Sequence, residues 1–129
     1  MLDTSVLLAA LDPEDVSHRI AAERLRAYRD RGDTFIVSAI VLAEALVAES
    51  RRGAPAVDER RAAISKAFGP TRPIDDRVAV DAAALRAAHP ALRLPDALVI
   101  AVGRVDRVAV ILTADHRWSR VDDRVELVA

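Results

Sequence analysis

The stretch Val108-Ala109-Val110-Ile111-Leu112 is apolar at every position, and this constrains the fold more than any other feature of the chain. A strand with one face in water alternates apolar and polar side chains. An unbroken run rich in β-branched residues suits a strand covered on both faces, as in a parallel sheet between helices. Four other segments read as extended: Met1-Leu2, as the end of a first strand, Thr34 to Val37, Thr71 to Ile74 and Val125 to Val128. Pro73 marks the third of these as an edge. Helical patterns lie between them, at Val6 to Leu11, Ser17 to Arg31, Ile40 to Arg52, Val57 to Phe68, Arg77 to Ala88 and Asp96 to Val105. Gly32 and Gly53 stop two of these helices. The alternation predicts an α/β fold, with helices on both sides of a parallel sheet and ligands beyond the carboxyl ends of the strands.

A chain of 129 residues predicts one domain, spanning 1–129. With 52% apolar and 30% charged residues, disorder is excluded. The absence of cysteine excludes disulfides, thiolate metal sites and cysteine nucleophiles. His18, His89 and His116 are the only histidines, too few for a histidine-rich zinc site. No apolar run approaches the ~20 residues of a membrane span, and no basic-then-apolar leader is visible. A cytoplasmic location is the expectation. The net charge of −1 predicts no global basic surface, so contact with nucleic acid would rest on local arginines. Lys66 is the only lysine; arginine would suit phosphate recognition, but coding bias in a chain also rich in alanine and valine is the favoured explanation.

Four acids stand where ionised groups are costly. Asp3 follows the first strand stub. Asp115 follows the apolar run by three residues. Asp96 opens an apolar helix, and Glu44 interrupts another between Ile40-Val41-Leu42-Ala43 and Ala45-Leu46-Val47-Ala48. Each also has an ordinary structural reading: a helix cap for Asp3 and Asp96, a turn for Asp115, a buried arginine pair for Glu44. Spacing along the chain leaves those readings open. If the four meet, two carboxylates ~4 Å apart repel by about 4 kcal/mol at an effective dielectric of ~20. Such a cluster must take up protons or a cation. Oxygen ligands favour Mg2+ or Mn2+ over zinc, and metal-assisted phosphodiester hydrolysis is the chemistry that follows.

These residues resemble the motifs of the PIN-domain family. Leu2-Asp3-Thr4-Ser5 is similar to its first motif and Ser38-Ala39-Ile40-Val41-Leu42-Ala43-Glu44 to its second. The segment from Leu92 through Pro95-Asp96 to Ala101 resembles the third, in the form typical of bacterial VapC toxins. Thr113-Ala114-Asp115 with Arg117-Trp118 resembles the fourth. The resemblance implies a three-layer α/β/α sandwich with a five-stranded parallel sheet. It implies Asp3 and Asp96 as the principal ligands of Mg2+ (or Mn2+), with Glu44 and Asp115 completing the metal and water network and Thr4, Ser5 and Thr113 as supporting hydroxyls. It also implies a VapC-type toxin ribonuclease of a type II toxin–antitoxin module, cutting tRNA or rRNA, forming a homodimer and neutralised by a VapB-like antitoxin. Family members carry a few residues before the first aspartate. Here there are two, so the first strand is expected either to be very short or to begin upstream.

Arg93, Arg117 and Arg120 lie near the acidic motifs and are candidates for phosphate contact, with solvated surface as the plain alternative. His116 reads as surface. Tyr28, Phe35, Phe68 and Trp118 are the only aromatics, which argues against a base-stacking platform. Other functional classes fit less well. A receiver-type magnesium-binding signalling domain needs a lysine after its last strand, and Lys66 lies inside a helix. A PIN-like module that binds RNA or a partner without cleaving it has no need of all four acids. A flap-endonuclease relative would be larger.

Overall fold

A computed structural model describes residues 1–128. Seven α-helices are present among them: α1 (Thr4–Leu11), α2 (His18–Asp30), α3 (Ala39–Ala45), α4 (Val47–Arg52), α5 (Ala54–Phe68), α6 (Asp76–Ala88) and α7 (Leu94–Val105). Two strands, β1 (Ile111–Thr113) and β2 (Val125–Leu127), flank a 3₁₀ turn at His116–Arg120. The α/β class holds. The five-stranded sheet is corrected to two parallel strands, with Ile111 opposite Val125 and Thr113 opposite Leu127.

Beyond these two strands the pairing is reduced to single bridges, Leu2 with Leu112 and Ser38 with Arg72, both parallel. Asp3 N donates to Leu112 O at 2.9 Å, Leu112 N to Met1 O at 2.9 Å, and Leu2 N to Ile36 O at 3.0 Å. The Ser38–Arg72 bridge does not lengthen on one side, where Ala39 enters α3. The apolar run is also less enclosed than its composition suggests. Ile111 and Leu112 are buried, Val108 and Val110 are half-buried, and Ala109 is exposed.

The expected helix from Ile40 to Arg52 is two helices that break at Leu46. Leu46 N is shared between Leu42 O at 3.1 Å and Ala43 O at 3.3 Å, and the Ser50 hydroxyl donates back to Leu46 O at 2.8 Å. A hydroxyl drawn onto the preceding turn bends a helix in this way. Helix α5 starts at Ala54, three residues before the expected start, because Pro55 is tolerated in a first turn. Helix α7 starts at Leu94, again with a proline in its first turn, so Asp96 lies inside the helix and does not cap it.

The core joins Leu2, Val6, Leu7, Val41, Val99, Ile100, Ile111 and Trp118, all at most 2% exposed. Helix α7 packs on α6 and α3, and α1 on α2 and α3. At Gly103 a Cβ would stand 2.7 Å from Ile111 Cδ1, so the absence of a side chain lets α7 seat directly on β1. This packing holds Asp3, Glu44 and Asp96 around the end of β1.

Candidate active site

The extended segments end where the acids begin. Asp3 follows bridge residue Leu2, Asp115 lies two residues beyond the last residue of β1, and Ser38 caps the helix that carries Glu44. Asp3 caps α1, as one structural reading expects: Oδ1 accepts from Thr4 N at 2.7 Å. Its other oxygen does more. Asp3 Oδ2 accepts from the Ser5 hydroxyl and from the Thr113 hydroxyl, both at 2.7 Å. The Thr113 Oγ1 accepts in turn from Asp115 N at 3.0 Å, and the Ser5 Oγ from Ala114 N at 3.1 Å. Thr4 Oγ1 donates to Glu44 Oε2. One network of hydroxyl and backbone donors therefore ties Asp3, Glu44 and the backbone of Asp115 together.

Asp96 enters through an arginine. Arg93 Nε and Nη2 each donate to one of its oxygens at 2.9 Å. Arg117 grips Asp115 in the same way, with Nε at 2.9 Å from Oδ1 and Nη2 on Oδ2. These contacts make the charge pattern explicit. Arg93 is held above its ordinary pKa by its hydrogen bonds to Asp96 and by that carboxylate's charge, with a smaller pull from Glu44. Asp115 is held below the usual carboxylate range, first by hydrogen bonds from the Arg117 side chain, and Arg93 adds to the effect. Asp3, Thr4, Ser5, Glu44, Arg93, Asp96, Ala114, Asp115 and Trp118 line one open cleft of about 470 Å³.

Glu44 makes no ion pair among the described residues, so the arginine-paired reading of this acid is corrected. It is half-buried and faces the same cleft as the other three. The residue that does fit that reading is Glu49, 6% exposed on α4 and bound by Arg60 at 2.7 Å and Arg52 at 2.8 Å. Helical periodicity does not separate the two, because the break at Leu46 resets the phase between them.

Among the described residues, no three acidic or imidazole groups form a closed metal cage. Two guanidiniums occupy the oxygens of Asp96 and Asp115 instead. The donor set of the cleft still fits a hard divalent cation. It consists of carboxylates and hydroxyls, with no imidazole in its lining. Four formal negative charges against two positive ones leave two uncompensated.

The family model of the PIN domain matches residues 1–124. The chain belongs to the PIN domain family. PIN domains are generally metal-dependent nucleases, and the acid cleft is the part of this one with the matching chemistry. No curated protein matches the sequence significantly. No helix among the described residues is long and apolar enough to cross a membrane.

Two features of this PIN domain escaped the sequence reading. Trp118 is 1% exposed and forms a wall of the cleft, with its indole N–H buried and without an acceptor among the described residues. Its place next to Arg117 in the fourth motif was the available signal. Arg120 lines an adjoining cavity with His89 and His116, and nothing in the spacing of residues 89, 116 and 120 announces that they meet.

Proposed function

We propose that this PIN domain is a Mg2+- or Mn2+-dependent endoribonuclease, the toxin of a VapBC-type module, with Asp3, Glu44, Asp96 and Asp115 as the residues that hold the cation. The supporting observation is the convergence of these four carboxylates on one cleft, with two charges uncompensated. When bound, the cation offsets that charge, acidifies water and stabilises the charge that develops on the phosphoryl oxygens. The remaining roles belong to the chain. Thr4, Ser5 and Thr113 aim the carboxylate oxygens through the hydrogen bonds described above. The side chains of Arg93 and Arg117 are 65% and 70% exposed, so solvent screens their hold on Asp96 and Asp115. Their planar forks suit an RNA phosphate as well as a carboxylate. Arg120, which lines the adjoining cavity with Arg117, is a third phosphate contact.

In this reading the substrate is tRNA or rRNA, the antagonist is a small VapB-like antitoxin, and the active form is a homodimer. One observation favours a second reading, a PIN module that binds RNA without cutting it: guanidiniums already occupy Asp96 and Asp115. Chelator-stripped protein incubated with total RNA separates the two. Cleavage that appears only on addition of Mg2+ or Mn2+ supports the nuclease, and RNA retained uncut under all conditions supports the binding module. Expression with and without the adjacent small open reading frame, followed by mapping of RNA ends, tests the toxin role. Growth arrest and discrete new RNA ends, both abolished by co-expression, are the expected result. Equal growth in the two cultures would refute the role.

A further inference from the structure

Next to the acid cleft lies a separate cavity of about 530 Å³, large enough for a nucleotide-sized ligand. Its walls are the turn between α6 and α7, residues 88–92, and the 3₁₀ turn His116–Arg120. Asp96 and Trp118 line both cavities, so a chain lying in one continues into the other.

The lining is divided by chemistry. The floor is apolar, with Leu92 at 7% and Trp118 at 1% exposure. The rim carries His89, His116, Arg117 and Arg120, and its single carboxylate, Asp96, has both oxygens bound by Arg93. In a protein of net charge −1, this concentration of cationic and imidazole groups is local. A purely apolar ligand gains nothing from such a rim. A nucleotide uses all of it: the base against the apolar floor and the imidazole planes, the phosphate at the guanidiniums.

The walls are also preformed. Arg86 Nη1 donates to Pro90 O at 2.9 Å and also to Leu92 O. Leu92 N donates to His89 O at 2.9 Å. Across the cavity, the Ser119 hydroxyl donates to His116 O at 2.8 Å. Loops pinned in this way pay little ordering entropy when a ligand enters.

We propose that this cavity is a nucleotide subsite, taking the base and sugar of a residue that flanks the phosphate at the acid cleft in single-stranded RNA. The proposal rests on the ribonuclease reading for the identity of the chain that lies there. Trp118, the only tryptophan, lines both cavities and serves as the probe. Metal-free protein is titrated with each of the four ribonucleoside 5′-monophosphates, with ribose 5-phosphate and with inorganic phosphate, while Trp118 fluorescence is followed. The exposed positions His116 and Ala91 supply the variants His116→Ala and Ala91→Phe, the second of which fills the cavity. Both are checked for an unchanged thermal midpoint.

The expected result is saturable quenching by at least one nucleotide, weakened about tenfold in each variant. On RNA, the same variants raise KM about tenfold, with a much smaller change in kcat. Inorganic phosphate binding as tightly as every nucleotide would overturn the subsite. So would nucleotide binding unaffected by both variants. RNA cleavage by the parent with no nucleotide response would refute the subsite and leave the nuclease standing. Nucleotide binding that both variants weaken, in a protein that cuts no RNA, would keep the subsite and refute the nuclease.

Discussion

Asp3 illustrates how one side chain holds a structural and a chemical position together. Its cap on α1 uses Oδ1, while Oδ2 gathers the hydroxyls of Ser5 and Thr113. Replacing it with alanine removes the cap, worth ~1 kcal/mol, and leaves two hydroxyls without their acceptor. Arg93 is the more informative substitution. Its bidentate hold on Asp96 competes with any cation for the same oxygens. Arg93→Gln is expected to tighten Mn2+ binding about fivefold by calorimetry. Unchanged or weaker binding would show that the pair does not compete. At this scale the sequence was informative for the acids, because a carboxylate among apolar neighbours is costly wherever it falls. It was uninformative about the arginines. The pairs Arg93–Asp96 and Arg117–Asp115 depend on local rotamers, and an exposed arginine has many.

At the scale of elements, the site depends on how closely α7 approaches β1. Gly103 permits that approach, and an added methyl would fall 2.7 and 2.9 Å from the side chain of Ile111, which is fully buried and would have to shift. Alanine gains about 1 kcal/mol of helix propensity, whereas overpacking costs about 1–3 kcal/mol. Gly103→Ala is therefore expected to lose about 1 kcal/mol net, read from the midpoint of urea unfolding, and a stabilised variant would contradict the close packing. The helices were legible to within a few residues because amphipathic period and glycine stops are local signals. The strands were not. Composition marked Thr34 to Val37 and Thr71 to Ile74 as extended, but whether a segment forms a ladder depends on its neighbours. The cap at Ser38, which turns the chain into α3, leaves one bridge where two strands were expected. The break at Leu46 was equally hidden, since its mark is the sharing of one N–H between the carbonyls of Leu42 and Ala43.

For the whole molecule, acid stability follows from paired carboxylates far from one another. Glu49 is lowered below its ordinary range by hydrogen bonds from Arg60, Asp75 by the backbone N–H of Val78, and Asp115 by the Arg117 side chain. A depressed folded pKa adds stability that is complete above the unfolded value of about 4 and lost as pH falls through the folded value. Urea midpoints should therefore be level above about pH 5 and fall below about pH 4. Glu49→Gln should flatten part of that fall, and an identical acid slope in the variant would exclude Glu49 as a contributor. The class was legible from the alternation of elements, and the PIN match over residues 1–124 agrees with it. The adjoining cavity was not legible, because two turns distant in the chain build it.

The most direct test of the carboxylate centre compares RNA cleavage by the parent and by Asp96→Asn in Mg2+. Asparagine keeps the shape of Asp96 and still offers an oxygen to Arg93, but removes the charge. Cleavage is expected to fall by roughly a hundredfold or more, with the thermal midpoint within about 2 °C of the parent. Equal cleavage by the two proteins would contradict the assignment of this cleft.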